Sequence, residues 1–169
     1  MLKLLFTIGA GILAFVAPAT AAEAALGPDA ASCRPGSDSP AALVSVTGFK
    51  NRAGNLRLHV YGSDPAAFLA KGKKLKRIDL PVTGAGPMRV CVAMPRAGNY
   101  AIVVHHDTDG NRKKGWNDGG GFSRNPDISL AHLKPKYQQV AFGVGNGIKP
   151  LEVVLNYRRG LSIGPVGRN

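Results

Sequence analysis

The chain has 169 residues, with 22 Lys and Arg against 10 Asp and Glu, a formal net charge of +12. That length suits one domain around a single core. No stretch beyond the first two dozen residues is apolar for long enough to span a bilayer as a helix, so a bundle of membrane-spanning helices is excluded.

Lys3, the apolar run from Leu4 to Val16 and the small residues that follow have the order of a secretory signal. Residues 1–21 are read as that signal, with cleavage after Ala19-Thr20-Ala21. Its removal takes away one cation, Lys3, so the mature chain stays basic. A basic exported chain has anionic surfaces and acidic polysaccharide within its reach, whereas export argues against nucleic acid as a partner. Residues 22–42, rich in Ala, Gly, Pro, Ser and Asp, read as a linker. Cys33 falls inside it, and the only other cysteine is Cys91. In an oxidising compartment the two are expected to pair and pin the linker to a strand.

From residue 43 the pattern becomes short β-branched segments. Leu43 to Phe49 and Leu56 to Tyr61 are predicted as strands joined in an antiparallel hairpin. Ser63-Asp64-Pro65 signals a helix start, and Ala66 to Ala70 is predicted as a short crossover helix ended by Gly72. Lys71 to Lys76 is a basic connection. Arg77 to Val82 and Met88 to Met94 are the third and fourth strands, separated by a Gly-Pro turn. The fifth, Tyr100 to His106, is apolar on both faces and therefore central. Gln138 to Val144 and Leu151 to Tyr157 complete a set of seven, and residues 159–169 are read as a flexible tail. Short strands, frequent Gly and Pro turns and almost no helix predict an all-β fold, an antiparallel β-sandwich over residues 43–158.

The connection from Asp107 to Tyr137 is the anomaly, because structureless loops of that length are uncommon in compact domains and often functional. Asp107, Asp109 and Asn111 place oxygen side chains at alternate positions, and Asp118 falls twelfth counting from Asp107. That spacing makes the four candidate calcium ligands, since a tight loop turns alternate oxygens inward on a hard cation. Arg112 at the sixth position, where the turn favours glycine, and Lys113 and Lys114 beside it argue for the alternative: Asp and Asn side chains that bond their own backbone and shape the loop. His105 and His106 are adjacent in a strand and point to opposite faces, so they do not share one metal ion. Gly119 to Gly121 lacks the Lys-Ser/Thr of a phosphate loop, and Ser123 lacks a nucleophile-elbow context. The glycines are expected to let Trp116 and Phe122 fold back onto the sandwich.

The segments Gly98-x-Tyr100-Ala101, His106-Asp107-x-Asp109-x-Asn111, Gly121-Phe122-Ser123-x-Asn125-Pro126 and Ala141-Phe142 resemble an uncharacterised exported bacterial family, domain of unknown function 2141. The likeness runs over about residues 43 to 158 and implies a transthyretin-like or immunoglobulin-like sandwich. Family members usually carry Asn at the position of Asp109, Gly at that of Arg112 and Asp at that of Gly115, so the acidic set here is a different one. Together these features predict a secreted or periplasmic, non-enzymatic binding or structural module of the cell envelope. Its contact loop would comprise His106, Trp116, Phe122, Ser123 and Asn125, facing an envelope protein or polysaccharide. The alternatives are a weak calcium-binding module and a hydrolase that uses a loop carboxylate with His106.

Overall fold

The computed structural model describes residues 24–167; the proposed signal, residues 1–21, lies outside them. Among the described residues ten strands, against the seven expected, form two layers: β1 Ala41–Thr47, β2 Asn55–Tyr61, β3 Lys76–Pro81, β4 Met88–Ala93, β5 Gly98–Asp107, β6 Gly119–Phe122, β7 Phe142–Val144, β8 Ile148–Val154, β9 Asn156–Arg159 and β10 Ser162–Pro165. One sheet has the order β4-β1-β8; the other runs β10-β9-β6-β5-β2-β3, with β7 added beside β5. The fold is nearly all-β and sandwich-like, as predicted.

Between the layers, Val44 and Val46 of β1 and Val90 and Val92 of β4 meet Leu56, Leu58 and Val60 of β2 and Ile102 and Val104 of β5. Each of these side chains is essentially buried, a contribution of roughly 1.5–3 kcal/mol apiece. Leu155, fully buried, is where the chain leaves β8 in one sheet and enters β9 in the other. The predicted seventh strand is therefore two, and it forms a corner of the sandwich.

Several expectations are corrected. β1 and β2 are not a hairpin: β1 pairs with β4 and, in parallel, with β8, whereas β2 pairs with β3 and β5. Both present one apolar face to the same core, so they lie in opposite layers. The crossover helix is absent. Asp64 Oδ1 does accept the Ala66 amide, but the residues after it form successive turns that end at Leu69, whose φ of 60° is incompatible with a helix. The short helix is instead α1, Tyr137–Val140, at the start of the predicted sixth strand. Tyr137 and Val140, three apart, are buried together, and Gln139 reaches back to the Lys136 amide.

The linker is tied down at both ends. Leu26 bridges to Val90, and Asp29 accepts bonds from Lys76 and from the Ala93 amide. Cys33 and Cys91 form a disulfide with a Cα–Cα distance of 5.9 Å. Within the expected tail, residues 162–165 are strand β10, paired with β9. Among the described residues, no helix is long and apolar enough to cross a membrane.

Candidate ligand cleft and acidic loop

β5 pairs with β2 and β6 and alternates cleanly, as its composition predicts. Tyr100, Ile102, Val104 and His106 face the core; Ala101, Val103 and His105 face outward. His106 is wholly buried. Its Nε2 lies 2.8 Å from the Ala53 carbonyl, which can only accept, so Nε2 carries the proton and Nδ1 accepts from Tyr157 Oη at 2.6 Å. Burial also pushes the Tyr157 phenol up to about 12, which keeps it a donor. With both ring nitrogens engaged, His106 offers nothing to a substrate.

The triple glycine is strand β6, not loop, and two of its members are dictated by the core. A Cβ on Gly119 would stand 2.4 Å from the Tyr157 ring, and one on Gly121 would stand 2.6 Å from Val153 Cγ1. Gly120 faces outward, where the nearest atom to a Cβ would be the Val104 carbonyl oxygen at 3.8 Å. After β6, Ser123 extends the pairing: its Oγ accepts from the Ile102 amide and donates to the Val140 carbonyl at 2.6 Å. Asn125 is bound at both ends to β8, accepting from the Val154 amide and donating to the Glu152 carbonyl. Of the five residues expected to form a contact loop, His106, Phe122 and Ser123 are buried and Asn125 is engaged by β8. Asn125 is nonetheless exposed, and Trp116 is broadly open, 71 % exposed, with the Arg158 guanidinium 3.5 Å above its ring.

Within loop 108–118 the carboxylates do bond backbone. Asp107 Oδ2 accepts from the Arg112 amide, Asp109 from Asn111, and Asn111 from Lys113. Asp118 accepts from the Thr108 and Gly115 amides and meets His105 Nε2 at 3.1 Å. Burial raises the Asp118 carboxyl, but these amides and His105 outweigh it and hold it below the usual range. Asp107, Asp109 and Asp118 also converge, each offering an oxygen within 4.8 Å of the others. Asp107 is wholly buried; its Oδ1 has no hydrogen-bond partner, and Arg57 Nη2 lies 3.9 Å from Oδ2. Asn111 turns its amide group to Asp109.

A feature the sequence did not disclose lies on the outer face of the larger sheet. Register aligns Asp79, Arg57, His105, Gly120 and Asn156 in one row and Arg77, His59 and Val103 in the next. Phe68, Leu69, Tyr137, Val140 and Ile128 cover one part of this face in a second apolar cluster. Beside it remains a cleft of about 680 Å³, within the range of small-molecule sites. His59, Val103, His105 and Gly120 line it together with Leu69, Lys74, Trp116 and Leu133. The signal that could have found it is the outward-facing His59-Val103-His105 set, polar and apolar residues mixed on the face opposite the core.

The electrostatics of the cleft are one-sided. Lys71, Lys74, Lys114, Lys134 and Arg158 stand around it, with Asp118 as the one carboxylate among the described residues that line it. Burial, then Lys74, Arg57 and Arg77, lower His59 to about 4, against a smaller opposing effect of Asp79. His59 Nε2 is buried without a hydrogen-bond partner. Burial likewise lowers His105, despite the neighbouring Asp118.

No curated protein and no solved structure matches the chain. A family model described as an uncharacterized protein conserved in bacteria, DUF2141, matches residues 44–151, from β1 through the acidic loop and β6 into β8, and the chain belongs to that family.

Proposed function

We propose that the chain is an exported, non-enzymatic binding module of the cell envelope, with the sandwich as scaffold and the outer-face cleft as its ligand-facing surface. The cleft carries this reading: an apolar concavity with converging polar groups on a rigid sheet is the usual form of a small-ligand site. The signal-like N-terminus and the disulfide support export. The His105–Asp118 pair is the one histidine–carboxylate contact in the cleft, and no Ser, Thr or Cys lines the cleft beside it. The test has two arms. Mature protein with a new N-terminus near residue 22 in the envelope fraction supports export, and retention in the cytoplasm overturns it. Ligands screened by Trp116 emission should lose their signal in Gly120→Leu, which fills the cleft floor; ligands indifferent to that change overturn the cleft as the surface.

A second reading, a cation-ordered loop, is favoured by the unpartnered Asp107 Oδ1 beside the converging Asp109 and Asp118 oxygens. Calcium suits an all-oxygen set, and Arg57 competes with it for Asp107. Added calcium should raise the unfolding midpoint, by about 2.7 kcal/mol at a hundred times its dissociation constant, and Asp107→Asn should abolish the rise. An unchanged midpoint in millimolar calcium removes this reading.

A further inference from the structure

The geometry points to a specific ligand class for the cleft: a single-chain acyl anion, a free fatty acid, with its chain along the apolar lining and its carboxylate at Lys74 and His59. This rests on the reading of the cleft as the ligand-facing surface.

The observations divide into tail and head. Leu69, Val103, Ile128, Leu130 and Leu133 line the cleft with aliphatic groups that neither donate nor accept hydrogen bonds. Leu133, 51 % exposed, and Trp116, 71 % exposed, both leave apolar surface of this lining open to water. Sugar hydroxyls laid on this lining would lose water without gaining partners, at a cost of roughly 1–3 kcal/mol each. The one tryptophan, the natural platform for a sugar ring, already has the Arg158 guanidinium over its ring. An alkyl chain meets none of these objections and gains from burial.

The head is selected by charge. His59 stands on the cleft floor in the field of Lys74, Arg57 and Arg77, opposed only by Asp79, which already bonds both arginines. Lys74, like Lys71, Lys114 and Lys134, is exposed and makes no ion pair among the described residues, and of these four it is the one whose charge acts on His59, so an anion there is placed at Lys74. A carboxylate seated at Lys74 would lower the repulsion around His59, whose ring lines the cleft although its Nε2 is buried without a partner. Gly120 opens the floor in the neighbouring row, beside His105: a side chain there would occupy space the acyl chain needs.

The experiment is a titration of the oxidised mature protein with laurate below its aggregation concentration, followed by Trp116 emission and calorimetry. One laurate should bind per chain. Lys74→Glu should weaken binding at least tenfold, and Gly120→Leu should abolish it, with both variants keeping the unfolding midpoint of the parent. Should Gly120→Leu fail to fold, Lys74→Glu alone carries the test. Acetate, a head without a tail, and dodecyltrimethylammonium, a tail with the opposite head, should not bind. Equal binding of the cationic amphiphile, or laurate binding that ignores both substitutions, overturns the inference. If laurate is inert while an acidic oligosaccharide binds and Gly120→Leu blocks it, the acyl-anion assignment falls and the cleft reading stands. If neither binds, both fall.

Discussion

Tyr157 on β9 reaches across the intervening strand β6 to hydrogen-bond His106 on β5, and it does so over Gly119, the register partner of both. The absent side chain is what allows the contact. The Gly119-Gly120 pair therefore separates two roles in adjacent residues, one owed to packing and one to the open outer face.

Gly119→Ala should destabilise the protein by about 1–3 kcal/mol, because the new methyl lands on the Tyr157 ring and neither side chain has room to yield. Gly120→Ala should be neutral or slightly stabilising, since glycine is the weaker strand former. Urea midpoints of the two variants decide it; equal effects would dismiss this division of labour.

Tyr157→Phe deletes one oxygen and leaves His106 Nδ1 buried without a donor. The expected loss is about 1–3 kcal/mol, the cost of an unsatisfied buried acceptor. His106→Phe would remove both the acceptor and the Ala53 bond, so the double variant should lose less than the sum of the singles.

Reducing the Cys33–Cys91 bond, which spans 58 residues, should lower stability by about 4 kcal/mol on the chain-entropy account. The segment between Asp29 and Asp38 should then show the largest gain in hydrogen exchange, because it would be held at its ends, by Leu26 and Asp29 on one side and the Asp38 and Pro40 carbonyls on the other. Uniform exchange across the whole sandwich would mean that the bond serves the core instead.

Acid should act early. His59 lies well below its ordinary value in the folded chain, so as pH falls below 6.5 the unfolded chain takes the proton first, and stability is lost down to about pH 4. His105 acts in the same direction. Asp79 and Asp118, both held below their ordinary values, add their losses only at lower pH. Urea midpoints should therefore fall between pH 7 and 4.5, and His59→Gln should flatten part of that slope; a level profile over this range contradicts the assignment.

Much of this was legible beforehand, for a physical reason in each case. Alternation exposes faces: β5 declares itself central because Ile102 and Val103 are both apolar, and the Cys33–Cys91 pair was expected from there being two cysteines in a chain read as exported. Alternation does not name partners, which is why β1 and β2 read as a hairpin although they lie in opposite layers. β6 was invisible, since three glycines carry no period at all. Tyr137 and Val140 show helical spacing, but over four residues that signal is lost beside the apolar run that follows. The acidic loop stood out from its spacing alone. The cleft did not, because it is assembled from the outward residues of β2, β5 and β6 and from segments far apart in the chain.

The parallel pairing of β1 with β8 has a kinetic consequence. Ala41 finds its neighbour at Ile148, so the three-stranded sheet cannot close until nearly the whole chain is present. Contacts of such separation place folding in the slow, millisecond-to-second regime. A chain threaded from its N-terminus through a narrow passage would thus meet β4 with one edge of its first strand while the other edge stays open until β8 has followed.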